Sequence, residues 1–264
     1  MLRGTSSLFW HSSASGDCQH QTADSRALPR PLLLWRARSR RGWSGRLGST
    51  VQDVYNNYVK GINNADPDVS VDGEAIAYPR TEFPKFGPAE YVKERFKGER
   101  PEVVAGAAAL KRQLASRISD CRGTEHYVLA GFSQGAWVIH QYLKSAPKEV
   151  LDKISGVAVL GDPQFKKTGI IPKLLPNYVI NPYFPPGVMH QSLCLSYDLP
   201  GAGRVVNDPI CRFSLVDFTR GDESDLRNCE LAAEGLIDTI WCPHLRYVQS
   251  GGTKRLADFL VNAS

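Results

Sequence analysis

Gly131-Phe132-Ser133-Gln134-Gly135 has the form G-x-S-x-G, and its flanks give that form its meaning. The run His126-Tyr127-Val128-Leu129-Ala130 reads as a short buried strand, and Gln134 to Leu143 reads as a helix. A serine at so sharp a strand-to-helix turn has its hydroxyl pushed out at the top of a parallel sheet. The glycines on either side carry no Cβ and relieve the crowding of the turn. Ser133 also precedes a helix N-terminus, where the N–H of Gln134 can stabilise a developing oxyanion. The pentapeptide alone is common, and a tight turn with a passive serine is the bland reading. Strand and helix in the right order make Ser133 the candidate nucleophile.

A serine nucleophile needs a base, and the base needs a carboxylate to orient it. His244, in Cys242-Pro243-His244-Leu245-Arg246-Tyr247, lies late in the chain just before the final helical stretch and is the candidate base. His190 precedes the best carboxylate and fits worse; His140 lies two helical turns beyond Ser133 and reads as a packed helix histidine. Asn207-Asp208-Pro209-Ile210-Cys211 places Asp208 in a turn that a cysteine three residues on can pin. Asp198, four residues after Cys194, and Asp162, after the strand Val157-Ala158-Val159-Leu160, are rivals whose simpler reading is turn chemistry. The order Ser, Asp, His is the one found when this turn is catalytic.

Three blocks, Gly131-Phe132-Ser133-Gln134-Gly135-Ala136, Asp208-Pro209-Ile210-Cys211 and Pro243-His244-Leu245-Arg246-Tyr247, resemble the signature blocks of the cutinase family. The resemblance runs from about Leu47 to Leu260. It implies a small serine esterase with an α/β fold: a doubly wound, mostly parallel sheet with helices on both faces and no large lid. It assigns Ser133 as nucleophile, His244 as base, Asp208 as its orienting acid and the N–H of Gln134 as an oxyanion donor. It implies no cofactor and no metal, an ester substrate (lipid, polyester or acetylated polysaccharide), a monomer and a secreted location. A cell-envelope lipid esterase or acyl transferase is a related alternative, and a catalytically impaired binding protein is another. The family brackets its acid closely between two cysteines, whereas Cys194 and Cys211 are far apart, with Leu199-Pro200-Gly201-Ala202-Gly203 between them. An insertion there explains why Asp198 and Asp208 each fit in part.

The cysteines stand at 18, 121, 194, 211, 229 and 242, without a C-x-x-C or zinc-finger spacing. Their even number suggests disulfides and an oxidising compartment. Cys194–Cys211 and Cys229–Cys242 are the favoured pairs, because each closes a short loop around Asp208 or His244. The resemblance would pair Cys121 with a cysteine ahead of the first strand.

Residues 1–46 read as an atypical Arg- and Ser-rich segment apart from the domain at 47–264. The first fifty residues hold eight Arg, two Asp and no Lys or Glu, about +6, so with a total of +5 the rest of the chain is about −1. The basic balance therefore belongs to this segment and gives no support for a nucleic-acid face. Pro31-Leu32-Leu33-Leu34-Trp35 is too short to span a membrane and makes no clean signal peptide. The resemblance requires a first strand ending in A-R-G-[ST] to supply a second oxyanion donor, and Trp35 to Arg46 contain no match. Two explanations stand: translation from a shifted frame of a GC-rich gene, or an Arg-rich disordered extension.

Further along, Ser49 opens a helix with Val51, Val54, Tyr55, Tyr58, Val59 and Ile62 on one face. Asp68 to Tyr78 reads as a strand, Pro101 to Ser119 as a helix, Ile154 to Leu160 as a buried strand, and Pro163 to Gly187, with its six prolines, as an extended loop. The alternation of strands and helices implies a parallel sheet.

Overall fold

The strand that leads to Ser133 is apolar on both faces, so each face must be covered. A computed structural model describes residues 7–13, 47–79, 101–120, 125–165, 183–199, 204–208, 210–212 and 242–264. The elements in chain order are β1 (Ser7–Ser13), α1 (Ser49–Ala65), β2 (Ser70–Ala75), α2 (Pro101–Asp120), β3 (His126–Phe132), α3 (Gln134–Leu143), α4 (Lys148–Leu151), β4 (Ile154–Leu160), β5 (Met189–Leu193), β6 (Ser196–Leu199), β7 (Arg204–Asn207), α5 (Cys242–Leu245) and α6 (Gly252–Ala263).

Alternation along β3 and β4 sorts the core into two layers. Tyr127 and Leu129 of β3 join Val157 and Val159 of β4 on one face, packed with Val103, Leu110 and Leu114 of α2 and Val138 and Ile139 of α3. Val128, Ala130, Phe132, Ala158 and Leu160 form the other face, under Val51, Val54 and Tyr58 of α1 and Leu256 and Leu260 of α6. Helices therefore cover both faces of the sheet, as expected. The helix read from Ser49 holds: Val51, Val54, Tyr58 and Ile62 are buried along one side of α1.

The strand order is β2-β1-β3-β4-β5. β3, β4 and β5 pair in parallel. β1 pairs antiparallel with both β2 and β3, so β2 runs in the same direction as β3 and only β1 runs against the others. Sequence reading sets residues 1–46 apart from the domain and leaves this place beside β3 without a strand. Ser7–Ser13 instead fills it, with Ser7 opposite Gly131 and Ser12 opposite His126. The physical reason is the ladder itself: β2 and β3 each present backbone N–H and C=O groups to the gap, and buried ones need partners. Residues 35–46, where the resemblance requires the first strand to end, lie outside the described residues.

β6 and β7 form a separate antiparallel pair, with Leu199 opposite Arg204 and Ser196 opposite Asn207. The insertion expected between Cys194 and Cys211 is thus a hairpin standing off the main sheet. No helix among the described residues is long and apolar enough to cross a membrane.

Candidate active site

Ser133 sits where β3 hands over to α3, with φ 56° and ψ −120°. It is the one non-glycine residue with positive φ among the described residues, a conformation that costs an L-residue about 1–3 kcal/mol and persists only where its surroundings enforce it. Two contacts enforce it here. The Ser133 N–H donates to the carbonyl of Leu160 at the end of β4 (2.9 Å), and the Ser133 carbonyl accepts from the N–H of Ala136 in the first turn of α3 (3.0 Å). Gly131 allows the approach: a Cβ there would stand 2.7 Å from the Ala136 nitrogen and the Gly135 carbonyl carbon. Gln134 is the first residue of α3, so its N–H is at the positive end of the helix next to the serine.

His244 lies in α5, with its ring stacked on Phe132, the residue before Ser133, at a centroid distance of 4.5 Å. Its Nδ1 is 2.9 Å from Oδ2 of Asp208, and both side chains are buried. Asp208 is held from several sides. Its N–H donates to the Leu195 carbonyl (2.8 Å), its Oδ1 accepts from the Ile210 N–H (2.8 Å), and its carbonyl accepts from the Arg212 N–H (2.9 Å). The disulfide Cys194–Cys211 closes this segment, as the sequence suggests. Cys229 lies outside the described residues, and with it the proposed pair with Cys242.

Of the three candidate acids, Asp208 is the one that meets His244. Asp162 pairs instead with His140, at 2.8 Å between Oδ2 and Nε2, with neither side chain exposed. Asp198 is in the hairpin, at a position opposite Val205 of β7. His190 lies on β5, stacked against Phe184 at 4.0 Å. Sequence reasoning missed one participant. The Tyr247 hydroxyl donates to the same Oδ2 of Asp208 at 2.7 Å and accepts from the Leu195 N–H at 3.0 Å. Burial, reinforced by the charge and hydrogen bond of Asp208, pushes the phenol well above its usual range, so Tyr247 stays a donor. The signal was its place in the same block as His244, Pro243-His244-Leu245-Arg246-Tyr247.

Gly161, with φ +54°, closes the site from below. A Cβ at this position would come within 2.7 Å of His244 Cε1 and 2.9 Å of Asp208 Oδ2. Among the described residues no group of three His, Cys, Asp or Glu side chains is arranged to hold a metal ion.

A sheet covered by helices on both faces, with a strained serine between a central strand and its helix, defines the α/β-hydrolase class of architecture. The cutinase family model matches residues 41–199, a span that includes Ser133 and Gln134 and ends before Asp208 and His244. The chain belongs to the cutinase family. A cutinase from Botryotinia fuckeliana is 36% identical over 59 residues, which cover 22% of this chain and 29% of that protein. A solved structure of Trichoderma reesei cutinase in complex with a C11Y4 phosphonate inhibitor is similar at 19% identity, with a TM-score of 0.40, over 78% of this chain and 66% of that one. The chain thus spans less than a third of the curated relative's length in that match and about two thirds of the solved one's.

Proposed function

We propose that the protein is a serine carboxylic ester hydrolase. His244 Nε2 takes the proton of the Ser133 hydroxyl as its oxygen attacks the ester carbonyl. Asp208, itself held by the Tyr247 hydroxyl, keeps the imidazole in the tautomer with Nδ1–H and favours the imidazolium that forms. The carbonyl oxygen gathers negative charge next to the Gln134 N–H. The imidazolium then protonates the leaving alcohol, leaving an acyl-serine. Water attacks this acyl group and loses its proton to His244, which passes it to the departing Ser133 oxygen as the acid and the free serine are released. The observation that carries the reading is the stack of His244 on Phe132, which brings the Asp208-bound ring to the residue adjoining the strained Ser133. The substrate class we favour is a lipid, polyester or acetylated-polysaccharide ester, and the expected setting is extracytoplasmic, where the Cys194–Cys211 bond would persist.

The test is covalent. A fluorophosphonate should label Ser133, and Ser133→Ala should abolish both labelling and p-nitrophenyl butyrate hydrolysis, a loss of about 10⁴-fold or more, with little change in thermal unfolding. Labelling at another serine would refute the assignment.

One observation favours a second reading, a cutinase-like binding protein of weak activity. The strand beside β3 is antiparallel, so it is the N-terminal end of β1 that lies next to Gly131. The A-R-G-[ST] donor would need the opposite orientation. Loss of one oxyanion donor costs about 100- to 1000-fold in kcat. Stoichiometric labelling of Ser133 with turnover depressed by that amount would support this reading.

A further inference from the structure

The turn Leu160-Gly161-Asp162 touches the candidate site through its first two residues and α3 through the third. The Leu160 carbonyl accepts the backbone N–H of Ser133 at 2.9 Å. Gly161 lies against the His244 ring and the Asp208 carboxylate so closely that no side chain fits. Asp162, fully buried, reaches back to α3 and binds His140 Nε2 at 2.8 Å. Its other oxygen accepts the Gln164 N–H at 2.8 Å, which fixes the carboxylate plane. His140 is also fully buried, and its Nδ1 faces the backbone of Tyr183, 3.2 Å from the nitrogen and 3.1 Å from the oxygen. Phe184 closes over the ring edge-on at 4.7 Å.

Removing an imidazole and a carboxylate from water is costly, and an apolar pair of the same volume would hold a helix to a turn as well or better. What the pair adds is direction. Its hydrogen bond is directional and ties α3 to the end of β4 at a set separation. α3 begins at the residue after the nucleophile, and the turn at the end of β4 seats the acid and the base.

We propose that His140 and Asp162 are positioning residues that set the separation of Ser133 from His244, through α3 on one side and Gly161 on the other. This rests on the esterase reading of the site. Neither residue touches the substrate. Their effect is on the geometry of attack, for which an error of about 1 Å costs about 100-fold.

The experiment compares His140→Leu, His140→Gln and Asp162→Ala in the full chain, with kcat for p-nitrophenyl butyrate expressed per Ser133 labelled by a fluorophosphonate, so that unfolded protein does not count. His140→Leu fills the space without a donor and should lower kcat at least tenfold, with KM within twofold of the wild type. His140→Gln keeps an N–H near the Nε2 position and should recover kcat to within threefold. Asp162→Ala deletes the acceptor by a second route and should match the leucine variant. Either deletion leaving kcat within twofold of the wild type overturns the proposal, as does a glutamine variant no better than leucine. Failure of the wild type to label at Ser133 would bring down the esterase reading, and this proposal with it.

Discussion

His244 and His140 each bind a buried aspartate, at 2.9 and 2.8 Å, yet the two rings are used in opposite senses. His244 gives Nδ1 to Asp208, and Nε2 is the atom that the proposed reaction uses. His140 gives Nε2 to Asp162 and turns Nδ1 to the Tyr183 backbone, where it meets an N–H when neutral and a carbonyl when protonated. Both of its nitrogens are therefore satisfied in either state. The same two residue types thus make the pair of the proposed reaction in one place and, in the inference above, a fastening in the other. Burial is common to both. The difference lies in which ring nitrogen the carboxylate engages and what stands at the other.

The largest expected effect tests the reactive pair. Asp208→Asn should lower kcat by about 10⁴-fold, because an amide favours the wrong imidazole tautomer, whereas Asp198→Asn in the hairpin should leave kcat within twofold. Steady-state kinetics on the two variants decides it. If Asp162→Asn proved as damaging as Asp208→Asn, the two pairs would not differ in kind.

Next in size is the joint between the pairs. Gly161→Ala forces a Cβ into His244 and Asp208 at a residue with φ +54°. We expect kcat to fall at least tenfold and stability to drop by about 1–3 kcal/mol, measured by urea unfolding alongside activity. Unchanged kcat in a destabilised protein would mean that the turn supports the fold and not the chemistry.

The smallest effect is a pH dependence of stability. Burial pulls the His140 pKa down, but the charge and hydrogen bond of Asp162 and the Tyr183 backbone more than offset it, and the net direction is upward from 6.5. The other groups facing the ring are Lys144 on its own helix, which opposes the rise, and His190 beyond Phe184. A histidine with a raised folded pKa stabilises fully below the unfolded value of 6.5 and loses that contribution as pH rises through the folded value. Melting temperature should therefore decline above pH 6.5 in the wild type, and His140→Gln should flatten that decline.

What was legible in the sequence follows from locality. α3, β4 and the start of β3 carry continuous apolar runs bounded by Gly, Pro or charge, and their reading from sequence stands within two residues. Ser133 was legible because strand, turn and helix are contiguous. The Asp208–His244 contact spans 36 residues, and only motif order pointed to it. Nothing local links His140 with Asp162, 22 residues away, since a buried histidine and a turn aspartate each have a sufficient reading alone. The hairpin was hidden for another reason: Ser196-Tyr197-Asp198-Leu199 and Arg204-Val205-Val206-Asn207 are only four residues each, and the Pro-Gly between them reads as loop. β1 was missed because a strand's place in a sheet depends on the gap it fills as much as on its own residues.

The Cys194–Cys211 bond joins the chain at the foot of that hairpin, and the Leu195 carbonyl binds the Asp208 N–H across the same foot. Everything from Ser196 to Asn207 therefore leaves and returns through a fixed gate, and closure entropy grows only slowly with the length of what lies beyond it. The connection between β6 and β7 is accordingly a place where descendants of this sequence can vary, or a foreign peptide or small domain be grafted, without Asp208 losing its contact with His244.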